Sequence, residues 1–372
     1  MIYLDNAATT KMCEEALKEY EYFSCSNFYN PSAIYLPAIK VGVALDEARA
    51  RLKKCLGAKK GDIIFTSGAT ESNNLAIRGS QREGKWEYVF SSGEHASVYN
   101  LANALKQEGK TVHFVPLNKG GEIDYEALEK LLTPKTRVVS VMFVNNVTGV
   151  INDIKRISQI VRQNAPSAIL HVDGVQAFCK LKFSLDELDV DLFSLSAHKF
   201  HGPKGAGALY VKNKAALKNL VFGGGQEYGI RSGTENVPAI MGMVKAAEVI
   251  DVGANFEKVK CLKAAFLQEL CGDEKIKFVG ENASPYIAMM LFEGVNGETL
   301  TRALEEKVIV GRGSACSAKK AGNHVLSAMG FNLGQIKGAI RVSFDASLTM
   351  EQVVEAAKII KTTYLQLLEK LK

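Results

Sequence analysis

Two apolar runs within residues 168–199 give the clearest indication of the fold: Ala-Ile-Leu-His-Val-Asp at 168–173 and Leu-Phe-Ser-Leu-Ser-Ala-His-Lys at 192–199. Each is an almost continuous apolar run of strand length that ends in polar residues. Such runs are typical of a parallel sheet whose two faces are both covered by helices. In open α/β sheets, ligands bind just outside the carboxyl ends of the strands. The two runs therefore predict a buried sheet and a binding site at its edge.

The same pattern extends on both sides of these two runs. Strands are predicted at 62–66, 88–91, 112–116, 138–144, 168–173, 192–196 and 206–211, and helices at 71–78, 96–108, 125–132 and 154–164. Alternating strands and helices predict an α/β large domain, over residues 15–255, with a mainly parallel sheet flanked by helices. The last two strands have no full helix between them, which leaves room for antiparallel pairing.

The pattern changes near residue 235. One long helical pattern runs from 235 to 271 and is predicted to bridge two domains. It is followed by predicted strands at 276–279, 287–292 and 339–344 and by predicted helices at 298–306 and from 350 onward. This mixture predicts a smaller α+β domain, formed by residues 256–372 together with residues 1–14.

Composition excludes several classes of protein. Of 372 residues, 47% are hydrophobic, and 46 Lys and Arg against 40 Asp and Glu leave a net charge of +6. That excess is small for a nucleic-acid-binding protein, so no direct nucleic-acid partner is expected. No apolar run approaches the ~18 residues of a membrane span, and the first residues lack a signal-peptide pattern. Seven cysteines without Cys-x-x-Cys spacing argue against a disulfide framework or a zinc site, and favour a cytoplasmic location.

The polar residues after the predicted strands are candidates for chemistry. Asp173 ends a buried strand and needs a partner, which could be the protonated nitrogen of a pyridine ring, a helix cap or a salt bridge. Lys199 follows another strand, and a partly desolvated lysine can form a Schiff base. His198 and His201 have a spacing seen in metal sites, but no further ligand cluster lies nearby, so no metal is expected.

Three further features have two interpretations each. Residues 67–70, Ser-Gly-Ala-Thr, begin a helix after a strand and suit either a bound anion or a simple N-cap. Cys316 lies among small and basic residues, as either an activated nucleophile or a surface thiol. Arg341 lies inside an apolar strand, where it either binds a carboxylate or forms a structural ion pair.

Taken together, these segments resemble the NifS/IscS-type cysteine desulfurases. That family lies within the class V aminotransferase-like group of pyridoxal-phosphate enzymes, which have the fold type I architecture. No single segment is specific, but all occur in the same order over nearly the whole chain. The matching segments are 3–10, 30–32, 66–74, 94–95, 144–146, 172–176, 198–199, 223–227, 231–236, 313–316 and 341–343.

The resemblance implies pyridoxal phosphate as the cofactor and L-cysteine as the substrate. Alanine would be released and Cys316 would keep a persulfide for a sulfur-acceptor protein of iron–sulfur assembly, tRNA thiolation or thiamin synthesis. A homodimer is also implied. The implied catalytic residues are Lys199 as Schiff-base lysine, Cys316 as nucleophile, and His95 for ring stacking and proton transfer. The implied cofactor contacts are Ala69, Thr70, His95, Asn146, Asp173, Gln176, Ser196, His198, Lys199 and, from a partner subunit, Thr234; the implied substrate contacts are Asn30, Asn146 and Arg341.

Some positions depart from the pattern of the resembled family. Ala33 and Tyr35 replace a serine and a histidine, Tyr228 replaces an arginine, and Phe344-Asp345 replaces Leu-Gly or Leu-Ser. The long stretch after Cys316 resembles the long-loop group. The alternatives are a selenocysteine lyase, another class V enzyme such as an aminotransferase, or a non-catalytic scaffold. The presence of all the residues needed for the chemistry argues against the scaffold.

Overall fold

The computed structural model describes residues 1–312 and 323–371, which form two β-sheets with surrounding helices. The strands are β1 (Ile2–Leu4), β2 (Asp62–Thr66), β3 (Glu87–Ser91), β4 (Thr111–Val115), β5 (Thr136–Met142), β6 (Ile169–Asp173), β7 (Leu192–Ser196), β8 (Gly207–Val211), β9 (Ile276–Val279), β10 (Ile287–Phe292), β11 (Val308–Arg312) and β12 (Ala339–Ser343). The α-helices are α1 (Glu14–Glu21), α2 (Leu36–Cys55), α3 (Ala69–Gly79), α4 (Ala96–Gln107), α5 (Tyr125–Leu131), α6 (Ile154–Asn164), α7 (Leu185–Leu188), α8 (Val237–Val249), α9 (Val252–Leu270), α10 (Gly297–Leu304), α11 (His324–Ala328), α12 (Leu333–Lys337) and α13 (Met350–Lys370).

The larger sheet has seven strands in the order β2-β8-β7-β6-β5-β3-β4. Strands β3 to β7 pair in parallel, whereas β8 is antiparallel to both of its neighbours. Every residue of β6 and β7 is buried, as expected for near-continuous apolar strands under two layers of helices. The prediction of a mainly parallel sheet flanked by helices is confirmed, and so is the antiparallel pairing near residue 206.

The smaller sheet has five strands in the order β1-β11-β12-β10-β9. Strand β1 pairs in parallel with β11, and the other pairs are antiparallel. Sequence analysis missed both β1 and β11, because three residues are too few to show a period and because β11 ends in Gly311 and Arg312. The N-terminal residues thus join the small sheet, while the domain boundaries at 14/15 and 255/256 stay a prediction.

The single bridging helix predicted over 235–271 is wrong. The segment forms two helices, α8 and α9, separated by Ile250 in an extended conformation (ψ 117°). The Asp251 side chain then accepts hydrogen bonds from the backbone N–H groups of Gly253 and Ala254 and so begins α9 as its N-cap. Helix α8 packs on α1 and α2, whereas α9 packs on α13. Neither these helices nor any other in the described part of the chain has the length and apolar character needed to cross a membrane.

Candidate active site

A cavity of 680 Å³ lies where the carboxyl ends of β6 and β7 face the small sheet. The beginning of α3 and the residues after β1 complete its wall. Most of the site residues expected from the sequence meet there. Those that line the cavity are Ala69, Thr70, His95, Asn146, Asp173, Gln176, Ser196, His198, Lys199 and Arg341.

Three expected site residues are not among the described residues that line this cavity. Asn30 is exposed, and its Oδ1 accepts a hydrogen bond from the backbone N–H of Ser32 at 3.0 Å. Thr234 lines a neighbouring cavity of 150 Å³, which shares Ser67 with the main cavity. Cys316 lies outside the described residues. The roles of all three stay predictions.

Lys199 lies in a short 3-10 helical turn, Ala197–Lys199, directly after β7. Its Nζ donates hydrogen bonds to the carbonyl oxygens of Ala7 at 2.9 Å and Ala8 at 2.7 Å. The N-terminal segment therefore orients an amine that lies almost two hundred residues further along the chain. Sequence analysis assigned no role to these alanines, because a backbone acceptor leaves no mark on the side-chain pattern.

Asp173 is 2% exposed at the end of β6. Its Oδ2 accepts a hydrogen bond from Asn73 Nδ2 at 2.9 Å, and its Oδ1 accepts one from the backbone N–H of Val175 at 3.1 Å. It forms no ion pair with any cationic side chain in the described part of the chain. A buried carboxylate with neutral donors and no counter-ion fits a protonated ring nitrogen. Asn73 is a site residue that sequence analysis missed; its signal is a buried amide inside α3.

His95 is the N-cap residue of α4. Its Nδ1 accepts a hydrogen bond from the backbone N–H of Ser97 at 3.2 Å, which leaves the proton of the neutral ring on Nε2. Burial lowers the pKa of His95, Asp173 opposes that shift, and the charges of Lys199 and His324 add to it. The imidazole is therefore neutral at neutral pH and can accept or pass on a proton.

The beginning of α3 offers an anion site. Its first backbone N–H groups have no partner within the helix, and the helix dipole favours negative charge there. The preceding Gly68 has a φ of 152°, and a Cβ on Gly207 would lie only 2.6 Å from the Gly68 Cα, so both positions require glycine. Burial lowers the pKa of the adjacent His198 to about 4, so its ring is neutral. Backbone donors, hydroxyl groups and a neutral imidazole suit a phosphate group.

Arg341 contributes a cation from the small sheet. Its Nη2 donates to Asp5 Oδ1 at 2.6 Å and its Nη1 donates to the carbonyl oxygen of Asn146 at 2.9 Å. The buried Nε has no hydrogen-bond partner among residues 1–312 and 323–371. The structural ion pair that the sequence left open thus exists, and the guanidinium still lines the cavity.

The departures from the resembled pattern lie outside the cavity lining. Tyr35 is exposed, and the ring of Tyr228 lies 3.6 Å from Lys214 Nζ. Asp345 is buried, and its Oδ2 lies 2.9 Å from His201 Nε2. The His201–Asp345 pair thus joins the end of β12 to the segment that follows Lys199.

Comparison with known proteins assigns the class of this site. The chain matches the model of the aminotransferase class-V family over residues 2–355. The chain belongs to this family, whose members use pyridoxal phosphate.

Individual relatives and a solved structure agree with that assignment. A "NifS/IcsS protein homolog" from Lactobacillus delbrueckii subsp. bulgaricus is 39% identical over 95% of each chain. A "Cysteine desulfurase IscS" from Clostridium botulinum is 36% identical over 95% of this chain and 91% of its own length. A solved "NIFS-like protein" superposes with a TM-score of 0.91 at 32% identity, covering 97% of this chain and 98% of its own. The resemblance found from the sequence is confirmed.

Proposed function

We propose that this protein is a pyridoxal-phosphate-dependent cysteine desulfurase. It converts L-cysteine to L-alanine and keeps the sulfur as a persulfide on Cys316. The observation that carries the proposal is the meeting of the Lys199 amine, the buried carboxylate of Asp173 and the Arg341 guanidinium in one cavity of 680 Å³. A binding module or a scaffold has no use for all three groups in one place.

The residues of the large sheet would hold the cofactor. Lys199 would bind its aldehyde carbon, Asp173 would bind the ring nitrogen, and the beginning of α3 would bind its phosphate with Ser196 and His198. When bound in this way, pyridoxal phosphate stabilises negative charge at the substrate α-carbon. His95, neutral and on the cavity wall, would stack against the ring.

The remaining groups would hold the substrate and move its protons. Arg341 would bind the carboxylate of L-cysteine through its guanidinium. Lys199, once displaced by the substrate amine, would carry the α-proton on Nζ, because the carbonyl oxygens of Ala7 and Ala8 hold that amine at the cavity wall.

Sulfur transfer balances without an added oxidant. The Cys316 thiolate would attack the substrate sulfur, so that the S–S bond forms while the Cβ–S bond breaks. The released three-carbon fragment takes up a proton and leaves as alanine, and the enzyme keeps the persulfide. A sulfur-acceptor protein then receives this sulfur through one of its thiols.

The test measures alanine and sulfide released from L-cysteine in the presence of pyridoxal phosphate and a thiol reductant. Wild type is expected to release both in equal amounts. Cys316→Ala should release neither yet keep the visible absorbance near 410–430 nm, roughly as expected for a bound lysine imine. Lys199→Ala should lose both the products and this absorbance.

Other outcomes would favour the alternatives. Coloured protein without sulfide release would contradict the proposal, and a keto acid product would then indicate an aminotransferase. Much faster turnover of selenocysteine would indicate a selenocysteine lyase. Colourless, cofactor-free protein would favour a scaffold.

A cytoplasmic homodimer is part of the same proposal. Large apolar side chains are exposed near the beginning of α2 and before Tyr228; Ile34 is 92% exposed, Leu36 is 65% exposed and Phe222 is 80% exposed. Surfaces of this kind favour burial against a second subunit. Thr234 would then reach the phosphate site of the partner subunit. Light scattering after size exclusion should give twice the mass of one chain, and Phe222→Glu should lower it.

A further inference from the structure

Lys180 is a buried lysine that takes no part in the proposed reaction. It lies in the turn that follows β6, is 7% exposed, and its Nζ donates to Gln176 Oε1 at 2.7 Å. It forms no ion pair within residues 1–312 and 323–371. Because an ammonium group without a counter-ion costs free energy to bury, a purely structural role is a poor explanation for this residue.

The contact with Lys180 determines how the Gln176 amide is turned. A lysine ammonium has only donors, so it selects the oxygen of the amide and leaves the NH₂ group on the opposite side. There, Gln176 Nε2 donates to the carbonyl oxygen of Ala7 at 2.9 Å. The same oxygen accepts a hydrogen bond from Lys199 Nζ. A continuous chain of polar contacts therefore connects Lys180 to Lys199.

The groups around Lys180 act on its charge in opposite directions, and its Nζ also lies 5.9 Å from the centre of the Tyr286 ring. A cavity of only 20 Å³ is lined by Lys180, Lys199 and Asp345. Burial lowers the pKa of Lys180 to about 7; the charges of Lys199 and Arg341 lower it too, while Asp345 and Cys179 act in the opposite direction. Asp345 is itself paired with His201 at 2.9 Å.

We propose that Lys180 is a positioning residue for this site. It holds the Gln176 amide with its NH₂ group toward the cavity, and in its protonated form its charge favours the neutral amine of Lys199. The neutral amine is the form that attacks a carbonyl carbon. The correctly turned amide keeps an N–H for an oxygen substituent of a bound pyridoxal ring. The uses of the neutral amine and of this N–H rest on the proposed function, whereas the effects of Lys180 on the Lys199 pKa and on the Gln176 amide do not.

The main test compares Lys180→Met with the matched control Lys263→Met. Lys263 is a half-buried lysine, and its Nζ donates to the carbonyl oxygens of Ser284 at 3.0 Å and Ile287 at 2.7 Å, in the smaller sheet region. Competitive acylation across pH, read by mass spectrometry on the cofactor-free full chain, gives the pKa of Lys199. Removing a nearby cation should raise that pKa by about 0.5–1 unit in Lys180→Met and leave it unchanged in Lys263→Met.

A second variant separates the charge from the amide orientation. Lys180→Gln keeps a hydrogen-bond donor for Gln176 but has no charge. If Lys180→Met does not fold, Lys180→Gln still measures the effect of removing the charge on the Lys199 pKa. The pKa of Lys199 should rise in both variants. The apparent Kd of pyridoxal phosphate should rise about 3- to 10-fold in Lys180→Met only, since one hydrogen bond is lost there.

An unchanged Lys199 pKa in folded Lys180→Met, or in folded Lys180→Gln, would overturn the inference. The two proposals fail separately. A raised Lys199 pKa in a protein that releases no sulfide would contradict the desulfurase and support the role of Lys180. Normal sulfide release with an unchanged Lys199 pKa would support the desulfurase and contradict the role of Lys180.

Discussion

The two sides of the cavity differ in how they supply their functional groups. On the large-sheet side, Asp173 and Lys199 come directly after parallel strands, and each is held by neutral partners. On the small-sheet side, Arg341 lies in the middle of β12 and is held by the charge of Asp5. In a parallel sheet, the carboxyl ends of the strands lie at one edge, so residues that follow the strands come together there. In the small sheet, Arg341 reaches the cavity only because of its position in the register of β12. The predictions below test this difference.

The largest effect is expected on the large-sheet side. Lys199→Ala removes the amine that would bind the cofactor and carry the α-proton, so sulfide release should fall on the order of 10³-fold or more. The visible absorbance of the bound cofactor should disappear, while the thermal unfolding midpoint should stay close to that of wild type. A variant that keeps most of its activity would contradict the assignment of this side of the cavity.

A different signature is expected on the small-sheet side. Arg341→Leu should raise KM for L-cysteine about 100-fold through loss of a charge-assisted contact, with cofactor absorbance retained. Arg341→Lys should give an intermediate KM, because it keeps the charge without the two-pronged geometry. Steady-state kinetics with an absorbance spectrum of each variant provide the check. Loss of the cofactor in Arg341→Leu would show that the small-sheet side also contributes to cofactor binding, and not to substrate binding alone.

The His201–Asp345 pair connects the two sides of the cavity, and its contribution to stability can be measured. Asp345→Asn should lower the free energy of unfolding by about 2 kcal/mol at pH 5.5, measured by urea denaturation. His201, hydrogen-bonded to Asp345, has a raised pKa, so its contribution is complete below its ordinary value of 6.5 and is lost as pH rises. The pKa of Asp345 is lowered from its ordinary 3.8, by the hydrogen bond with His201 against the effect of burial, so its contribution is lost as pH falls.

The pair should therefore stabilise the fold most between about pH 4 and 6.5. The loss caused by Asp345→Asn should shrink by pH 9, where His201 is neutral. An equal loss at both pH values would argue against a charged pair.

The smallest effect is expected at an exposed ion pair whose two residues do not line the cavity. Arg302 and Glu298 on α10 lie 2.9 Å apart, and their side chains are 75% and 47% exposed. Arg302→Ala should change the free energy of unfolding by less than about 0.5 kcal/mol, because exposed pairs contribute little. Its activity should equal that of wild type. Arg302→Ala is the control for Asp345→Asn. If the two variants lost the same free energy of unfolding, the buried pair would not be more stabilising than the exposed one.

Local patterns were enough for the larger sheet. The strands at 62–66 and 192–196 were predicted with the bounds found in the structure, and the other strands of this sheet differ by one or two residues at one or both ends. Long apolar runs show their period within a few residues, so neighbouring context hardly matters. The break at Asp251 was not predicted, because both halves of that segment carry a helical pattern and only the cap separates them.

The amino-acid sequence predicted the fold class, the family and the candidate cofactor contacts that line the cavity on the large-sheet side. It did so because a strand end can be recognised locally and because motifs in fixed order are specific in combination. Three contacts could be seen only in the folded chain: Asp5 pairs with Arg341, Asn73 supports Asp173 and Lys180 holds Gln176. The first two pairs join residues far apart in the chain, and all three are hydrogen bonds that are buried or partly buried. Such bonds depend on how the elements pack, which no local pattern records.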